Sequence, residues 1–126
     1  MTTVFIFLFI LIGWDIAWYM AGVRPIFPWQ LKKLLQKDRR QVRLIDVRTP
    51  VEFNWFHIQG ADNKPELIIG NQLLPQTDKE KPVVVICMTG HRSPPVAYRL
   101  KKHGFKNVYN LTWGMLAWKL FGMKND

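Results

Sequence analysis

Cys87, the one cysteine of the chain, directly follows the apolar run Val83–Ile86 and precedes a helix predicted to begin near Ser93. The connection contains Gly90, and glycine adopts backbone angles that other residues resist. If the run is a strand of a parallel sheet, this loop lies beyond its carboxyl end, where backbone N–H groups converge on one point. The dipole of the following helix and the charge of Arg92 both favour a thiolate. The pattern predicts an exposed, activated sulfur nucleophile; the alternative is a buried cysteine that serves as a small hydrophobic residue.

Strands and helices alternate along the part of the chain that must position this loop. Strands are predicted at 42–47, 83–86 and 107–111, and helices at 28–35, 66–74, 93–103 and 114–121. Ser93 is a candidate N-cap, and Gly104 fits the position just past the helix end. This alternation predicts an α/β fold with a mainly parallel sheet. Asp46 and Arg48 end the first strand, so they reach the same edge of the sheet as the Cys87 loop.

The composition of the chain excludes several classes of protein. Its 126 residues fit one domain, and its 48% hydrophobic content is too high for a disordered chain. One cysteine excludes an internal disulfide framework and a four-cysteine zinc site. With three histidines besides, no metal and no organic cofactor is predicted. The net charge is +9, but the basic residues are dispersed and no nucleic-acid motif is present, so no nucleic-acid partner is predicted.

Residues 4–23 form an apolar segment with one charged residue, Asp15. A helix of this length is about 30 Å long, enough to cross a bilayer, and Trp14, Trp18 and Tyr19 fit an interfacial aromatic belt. The segment is therefore predicted to be a transmembrane anchor that contacts the lipid bilayer. A cleaved signal peptide is one alternative, although a basic leading region is missing. A buried core helix is another, although it would need a larger domain around it.

The distribution of charge predicts the orientation of this anchor. No basic side chain precedes the span, whereas 24–43 is rich in lysine and arginine. The positive-inside rule predicts a single-pass protein with its C-terminal domain in the cytoplasm. The same basic cluster either contacts anionic headgroups or is simply solvated. The predicted organisation is an anchor at 1–23, a linker at 24–27, a domain at 28–121 and a tail at 122–126.

Three ordered motifs give the chain a resemblance to a known family. They lie at 44–48 with 52–53 and 57–61, at 87–93, and at 104–105 with 108–111, 114–115 and 117–118. Together they cover about residues 28–120, and over this range the sequence resembles single-domain rhodaneses, the sulfurtransferase family. The resemblance implies a three-layer fold with a five-stranded parallel sheet and helices on both faces, here preceded by one transmembrane helix.

The resemblance also implies a reaction. Cys87 would take a sulfane sulfur from thiosulfate, polysulfide or a persulfide donor and pass it to a thiol or cyanide acceptor. The substrate-binding loop would comprise Met88, Thr89, Gly90, His91, Arg92 and Ser93. Asp46 and Arg48 match the Asp-x-Arg motif of the family, where they would support the edge of the loop; the alternative is a strand-end turn with a surface ion pair.

Several features of the chain depart from the family or restrict its chemistry. Four residues separate Cys87 from Arg92, one fewer than in related phosphatases, so the loop suits one sulfur atom better than a phosphate. Met88 stands where many thiosulfate-using members have arginine, which favours polysulfide or a protein persulfide as donor. Trp113 replaces a glycine; it narrows the entrance, forms an aromatic contact surface or packs inward. These departures leave open a catalytically silent binding module that recruits an unidentified protein partner to the membrane.

Overall fold

The computed structural model describes residues 1–69 and 79–122 and contains one sheet of five parallel strands. The strands are β1 (Arg24–Ile26), β2 (Arg43–Asp46), β3 (Asp62–Asn63), β4 (Val83–Ile86) and β5 (Val108–Leu111), in the order β1-β5-β4-β2-β3. All four residues of β4 are fully buried, as an apolar strand with helices on both faces should be. The predicted parallel five-stranded sheet is confirmed.

Within the described residues, six α-helices accompany the sheet, with a 3-10 turn at Arg39–Gln41. They are α1 (Thr2–Met20), α2 (Pro28–Asp38), α3 (Pro50–Trp55), α4 (Glu66–Ile69), α5 (Pro94–Lys102) and α6 (Gly114–Leu120). The predicted helix at 66–74 is seen as α4, and its residues 70–74 lie outside the described residues, as do 123–126 of the predicted tail. The predicted helices at 28–35, 93–103 and 114–121 are confirmed as α2, α5 and α6.

Two apolar cores, one on each face of the sheet, make the fold three-layered. Val83 and Val85 point into the core under α4 and α5, whereas Val84 and Ile86 point into the opposite one. The first core is filled from the helices by Leu67, Val96, Ala97 and Leu100, and the second by Leu31, Leu35, Met115 and Trp118. Because successive side chains of β4 alternate between the cores, this strand fixes the position of Cys87 from both sides.

Residues 24–27, predicted as a linker, instead contribute the edge strand β1. Arg24–Ile26 pairs in parallel with β5, with Pro25 opposite Asn110. Proline lacks an N–H group, which an edge strand tolerates because one of its sides makes no ladder hydrogen bonds. Val23 and Ile26 are buried on either side of this pairing. The folded domain therefore begins at Val23, inside the predicted anchor.

α1 is the one described helix that is long and apolar enough to cross a membrane. No residue of α1 is fully buried, and its first nine residues are all exposed. Its second half touches the domain along one side, where Trp18 packs against Tyr98 with ring centroids 5.7 Å apart. The helix thus projects from the domain at its N-terminal end and is attached at its C-terminal end.

Candidate active site

Cys87 follows β4 directly, and its sulfur is the point on which the loop converges. The backbone N–H of Gly90 donates to Sγ at 3.0 Å and that of Arg92 at 3.4 Å, while the Ser93 hydroxyl lies 3.4 Å from Sγ. This is the arrangement of N–H groups that the strand–loop–helix pattern predicts. The predicted exposure of the cysteine is wrong, because Cys87 is 0% exposed. The sulfur is enclosed by the loop that donates to it.

Two glycines allow the loop to pack closely. Gly90 has φ +85°, and a Cβ at this position would lie 2.5 Å from the backbone nitrogen of Trp113. Gly114 has φ +61° and packs against the carbonyl of Cys87. The first N–H groups of α6 then bind loop carbonyls, with Met115 donating to Cys87 at 2.9 Å. The loop is therefore held at its start by β4 and along its backbone by the first turn of α6.

Ser93 stands at the N-cap of α5 but does not cap the helix with its side chain. Its hydroxyl instead donates to the Asn110 side-chain oxygen and also lies against Cys87. The Asn110 side-chain amide donates to the Gly90 carbonyl at 3.1 Å. Asn110 thus joins both ends of the loop to β5. Sequence reasoning missed it, although a buried asparagine in an otherwise apolar strand is a signal for a required hydrogen bond.

The side chain of Arg92 is directed away from the sulfur. Its guanidinium pairs with the Glu52 carboxylate at 3.1 Å, so it reaches Cys87 through its backbone N–H. Burial opposes the ionisation of Glu52, but hydrogen bonds from Thr49 and Arg92 outweigh burial and hold the Glu52 pKa below its usual value. The charge of Arg92 is balanced by a carboxylate of α3 rather than by a thiolate, contrary to the sequence-based expectation.

Asp46 and Arg48 form a buried ion pair, so the surface ion pair considered for them is wrong. Both side chains are fully buried, and Arg48 Nη2 lies 2.8 Å from Asp46 Oδ2. Arg48 also donates to the Phe56 carbonyl at 2.6 Å, at the end of α3. In the part of the chain that the structure describes, this pair supports α3, and α3 positions Glu52 so that its carboxylate pairs with Arg92. Its support of the loop is therefore indirect.

The remaining loop residues face other elements. Met88 is half-buried against the core under α2 and α6, and Thr89 is exposed. The His91 ring lies between two groups, with Nδ1 3.2 Å from the Thr89 hydroxyl and Nε2 3.8 Å from an Asp15 oxygen. The Trp14 indole N–H donates to the His91 carbonyl at 3.2 Å. The apolar helix α1 therefore touches the candidate catalytic loop, which the sequence did not indicate.

Trp113 lies beside the loop in an unusual backbone conformation. Among the described non-glycine residues it alone has a positive φ, +59°, and its side chain is 57% exposed. The alternative of a Trp113 packed inward is therefore wrong. A non-glycine residue in the left-handed region costs about 1–2 kcal/mol, and the indole of this strained residue is exposed at the edge of the site.

Comparisons with known proteins agree on one family. The profile of the family described as "Rhodanese-like domain" matches residues 28–120. The chain is 35% identical over 98 residues to the thiosulfate sulfurtransferase GlpE of Coxiella burnetii, covering 78% of this chain and 86% of that protein. It is 36% identical over 105 residues to the probable adenylyltransferase/sulfurtransferase MoeZ of Mycobacterium tuberculosis, covering 82% of this chain but only 26% of MoeZ.

A solved structure supports the same assignment. The rhodanese-like domain protein from Staphylococcus aureus is 28% identical, with a TM-score of 0.66 over 82% of this chain and 99% of that one. The shared fold and motifs extend over the domain. All of α1 and β1 precede the matched range of residues 28–120, so the family match does not account for them.

Proposed function

This chain belongs to the rhodanese-like domain family, and on that premise we propose that it is a sulfurtransferase that carries sulfane sulfur on Cys87. The observation that carries the proposal is the convergence of the Gly90 and Arg92 N–H groups on the Cys87 sulfur. Fixed N–H dipoles directed at one point stabilise an anion there without reorganisation. Both the thiolate and the persulfide anion are suitable occupants of such a cradle.

The proposed reaction has two displacement steps. The Cys87 thiolate attacks the outer sulfur of the donor, a new S–S bond forms, and the donor's own S–S bond breaks so that its remainder leaves with the bonding electrons. A thiolate or cyanide acceptor then attacks the outer sulfur of the persulfide, and the Cys87 thiolate leaves. Both steps exchange one bond to sulfur for another, so no cofactor is required.

The charges around the loop favour a polysulfide or persulfide donor over thiosulfate. Arg92 is paired with Glu52, His91 lies beside Asp15, and Met88 adds no charge. A dianion such as thiosulfate would be stabilised by the backbone dipoles of this loop, but no basic side chain of the loop would be available to balance its charge. A donor with less charge or with an apolar polysulfur chain loses less solvation on entering the site.

Persulfide formation on the full chain in detergent tests this function. We expect intact-protein mass spectrometry to show the addition of one sulfur atom after incubation with polysulfide, and less with thiosulfate. Cyanide or a thiol should remove the added sulfur, and Cys87→Ser should show none. No adduct with either donor would contradict the proposal and favour a binding module that uses exposed groups such as Trp113.

We further propose that the apolar segment 4–23 anchors the protein in a lipid bilayer through its exposed N-terminal part, with the catalytic domain on the cytoplasmic side. Support comes from α1, whose apolar side chains are exposed over most of its length. Removing so many large apolar side chains from water is favourable at about 25 cal/mol per Å². The basic residues that follow the helix support this orientation.

A further inference from the structure

Six exposed apolar side chains lie toward the edge of the sheet that carries the Cys87 loop, and we propose that they lie on the surface of the lipid bilayer, so that the catalytic loop faces the membrane. We call them the docking patch; each is between 39% and 75% exposed, and its members are Phe27, Trp29, Trp113, Leu116, Leu120 and Phe121. The inference rests on the proposed anchoring through α1 and names the surface that the anchored domain presents to lipid.

The topology places the patch at the carboxyl edge of the sheet, the edge that carries Cys87. Phe27 directly follows β1, and Trp113 lies two residues after β5. Phe27 stacks on Trp29 with centroids 5.0 Å apart, and Trp29 meets Phe121 edge-to-face at 5.4 Å. Because all five strands are parallel, the ends of β1, β4 and β5 share one edge. The exposed rings and the catalytic loop therefore face the same side.

Trp113 is a patch residue whose backbone packs against Gly90 of the catalytic loop. Its φ of +59° is a conformation in which glycine would be unstrained, yet its indole is mostly exposed. Neither core packing nor backbone geometry explains a tryptophan here, and its indole interacts with the Asp15 carboxylate of α1. An amphipathic indole is well suited to the interface between headgroups and acyl chains, where one end is apolar and the other is wet.

The apolar helix leaves the domain at this same edge. Trp14 and Asp15 contact His91 of the catalytic loop, which places them at the level of the loop. The twelve residues from Thr2 extend about 18 Å beyond Trp14, which is past the midplane of a hydrocarbon core about 30 Å thick. A cleft of about 330 Å³, lined by Asp15, Trp18, Phe27 and Trp113 among others, lies between this part of α1 and the patch. The patch is therefore continuous with the proposed membrane segment.

Six of the basic residues lie toward the opposite edge. α2 runs from the carboxyl end of β1 to the amino end of β2, and α5 runs from the Cys87 loop to the amino end of β5. The last turns of these helices, the 3-10 turn that follows α2 and the neighbouring strand starts carry Arg24, Lys37, Arg39, Arg40, Arg43 and Lys102. The proposed contact is therefore apolar and aromatic, and it should withstand salt. Docking of the basic cluster on anionic headgroups would turn the domain the other way and would be screened by salt.

Spin labels on the full chain in vesicles distinguish these arrangements. On a Cys87→Ser background, single labels are placed at Trp113→Cys and Leu120→Cys in the patch and at Lys37→Cys on the basic edge. A label at Phe7→Cys reports on α1. The vesicles contain phosphatidylcholine and phosphatidylglycerol, and power saturation compares contact with oxygen, which is concentrated in lipid, and with a polar nickel chelate.

We expect the ratio of oxygen to nickel accessibility to be severalfold higher at positions 113 and 120 than at 37, highest at 7, and unchanged in about 0.5 M salt, where the Debye length is only a few ångströms. If the labels at 113 and 120 have the same ratio as the label at 37 while the label at 7 is in lipid, the inference is overturned and the proposed anchor stands. A wet position 7 would overturn both. A label at position 37 that is protected from the nickel chelate at low salt and accessible at high salt would also overturn the inference. So would patch labels that are protected from nickel without greater contact with oxygen, which would indicate a second copy of the chain. None of these outcomes depends on sulfur transfer, because Cys87 is absent.

Discussion

The sulfur of Cys87 receives its contacts from backbone N–H groups and a hydroxyl, while the basic side chains of its loop, Arg92 and His91, face carboxylates. Arg92 is committed to Glu52, and His91 lies beside Asp15. The anion cradle therefore depends on the shape of the loop, which Gly90 and Asn110 maintain. The side chains of Arg92 and His91 therefore influence the sulfur indirectly, because their contacts with α3 and α1 hold those helices against the loop.

The Glu52–Arg92 pair gives a prediction about stability and pH. Because the folded-state pKa of Glu52 is lowered, its ionised form stabilises the fold above the ordinary glutamate pKa, and this contribution is lost as the pH falls through the lowered value. Glu52→Gln should therefore lower Tm at pH 7, with a loss of up to about 1 kcal/mol because the pair is partly exposed. Once the pH has fallen through the lowered pKa of Glu52, the two chains should approach the same Tm, since both then lack the charge.

Thermal unfolding of the full chain in detergent micelles measures this difference. Glu80→Gln provides a matched control, because Glu80 pairs with Lys106 at 2.7 Å but both side chains are more than half exposed. We expect little effect of that substitution at either pH. A Glu52→Gln deficit of equal size at both pH values would show that the ionised carboxylate is not what stabilises this site.

The elements with strong local signals are those that the sequence predicted. β4 is an unbroken apolar run, and α5 has prolines in its first turn and Gly104, with φ +99°, just past its end. β1 has no such signal: three residues including Pro25 become a strand only by pairing with β5. α3 was also missed, although Thr49 and Glu52 form a capping box that sequence inspection could have found.

The site shows the same division between local pattern and tertiary context. The position of Cys87 and the direction of the loop N–H groups follow from the strand–loop–helix order. Its burial, the diversion of Arg92 to Glu52 and the contact with α1 depend on elements distant in sequence. Periodicity and spacing do not specify which side chain from a distant segment meets a given loop.

The contact between α1 and the loop predicts how readily Cys87 is exposed. A buried thiol reacts only when its loop opens, and the Trp14 indole bonded to the His91 carbonyl favours the closed form. Trp14→Phe removes this hydrogen bond, which contributes about 0.5–1.5 kcal/mol. We expect iodoacetamide to alkylate Cys87 about 2- to 10-fold faster in this variant, measured by mass spectrometry on the full chain in detergent.

Tyr19→Phe is the matched control for that experiment. Tyr19 lies on the same helix and is 65% exposed, with no contact to the loop among its described interactions. Its alkylation rate should equal that of the unmodified chain. Equal rates for Trp14→Phe and Tyr19→Phe would mean that α1 does not hold the loop closed.

Considered as a whole, the molecule has two unlike edges joined by its sheet. The carboxyl edge carries Cys87, the docking patch and the part of α1 at Trp14 where the helix leaves the domain, and the amino edge carries much of the positive charge. α1 belongs to both the domain and the proposed anchor, because Trp18 and Val23 pack into the core under α5 while the outer side of the helix is exposed. The anchor and the domain should therefore not be separable at residue 23.

A comparison of three truncated chains tests this interdependence. A chain that begins at residue 24 loses burial of Val23, about 1.5–3 kcal/mol, and the Trp18–Tyr98 contact, about 0.5–1.5 kcal/mol. One that begins at Trp14 keeps both, and one that begins at Tyr19 keeps only Val23. We expect urea unfolding to give free energies that fall in the order 14–126, 19–126 and 24–126, with about 2–4 kcal/mol between the first and the last.

Equal stability of all three chains would mean that the domain is complete from Arg24 and that α1 is attached only through the chain. The graded order instead requires the last turns of α1 to be part of the fold. In that case the apolar helix cannot swing freely on its connection, because Trp18 holds it against Tyr98 and Trp14 holds it against the loop. A helix fixed in this way fixes the domain in turn: wherever its free end enters lipid, the carboxyl edge with Cys87 must follow toward the same surface.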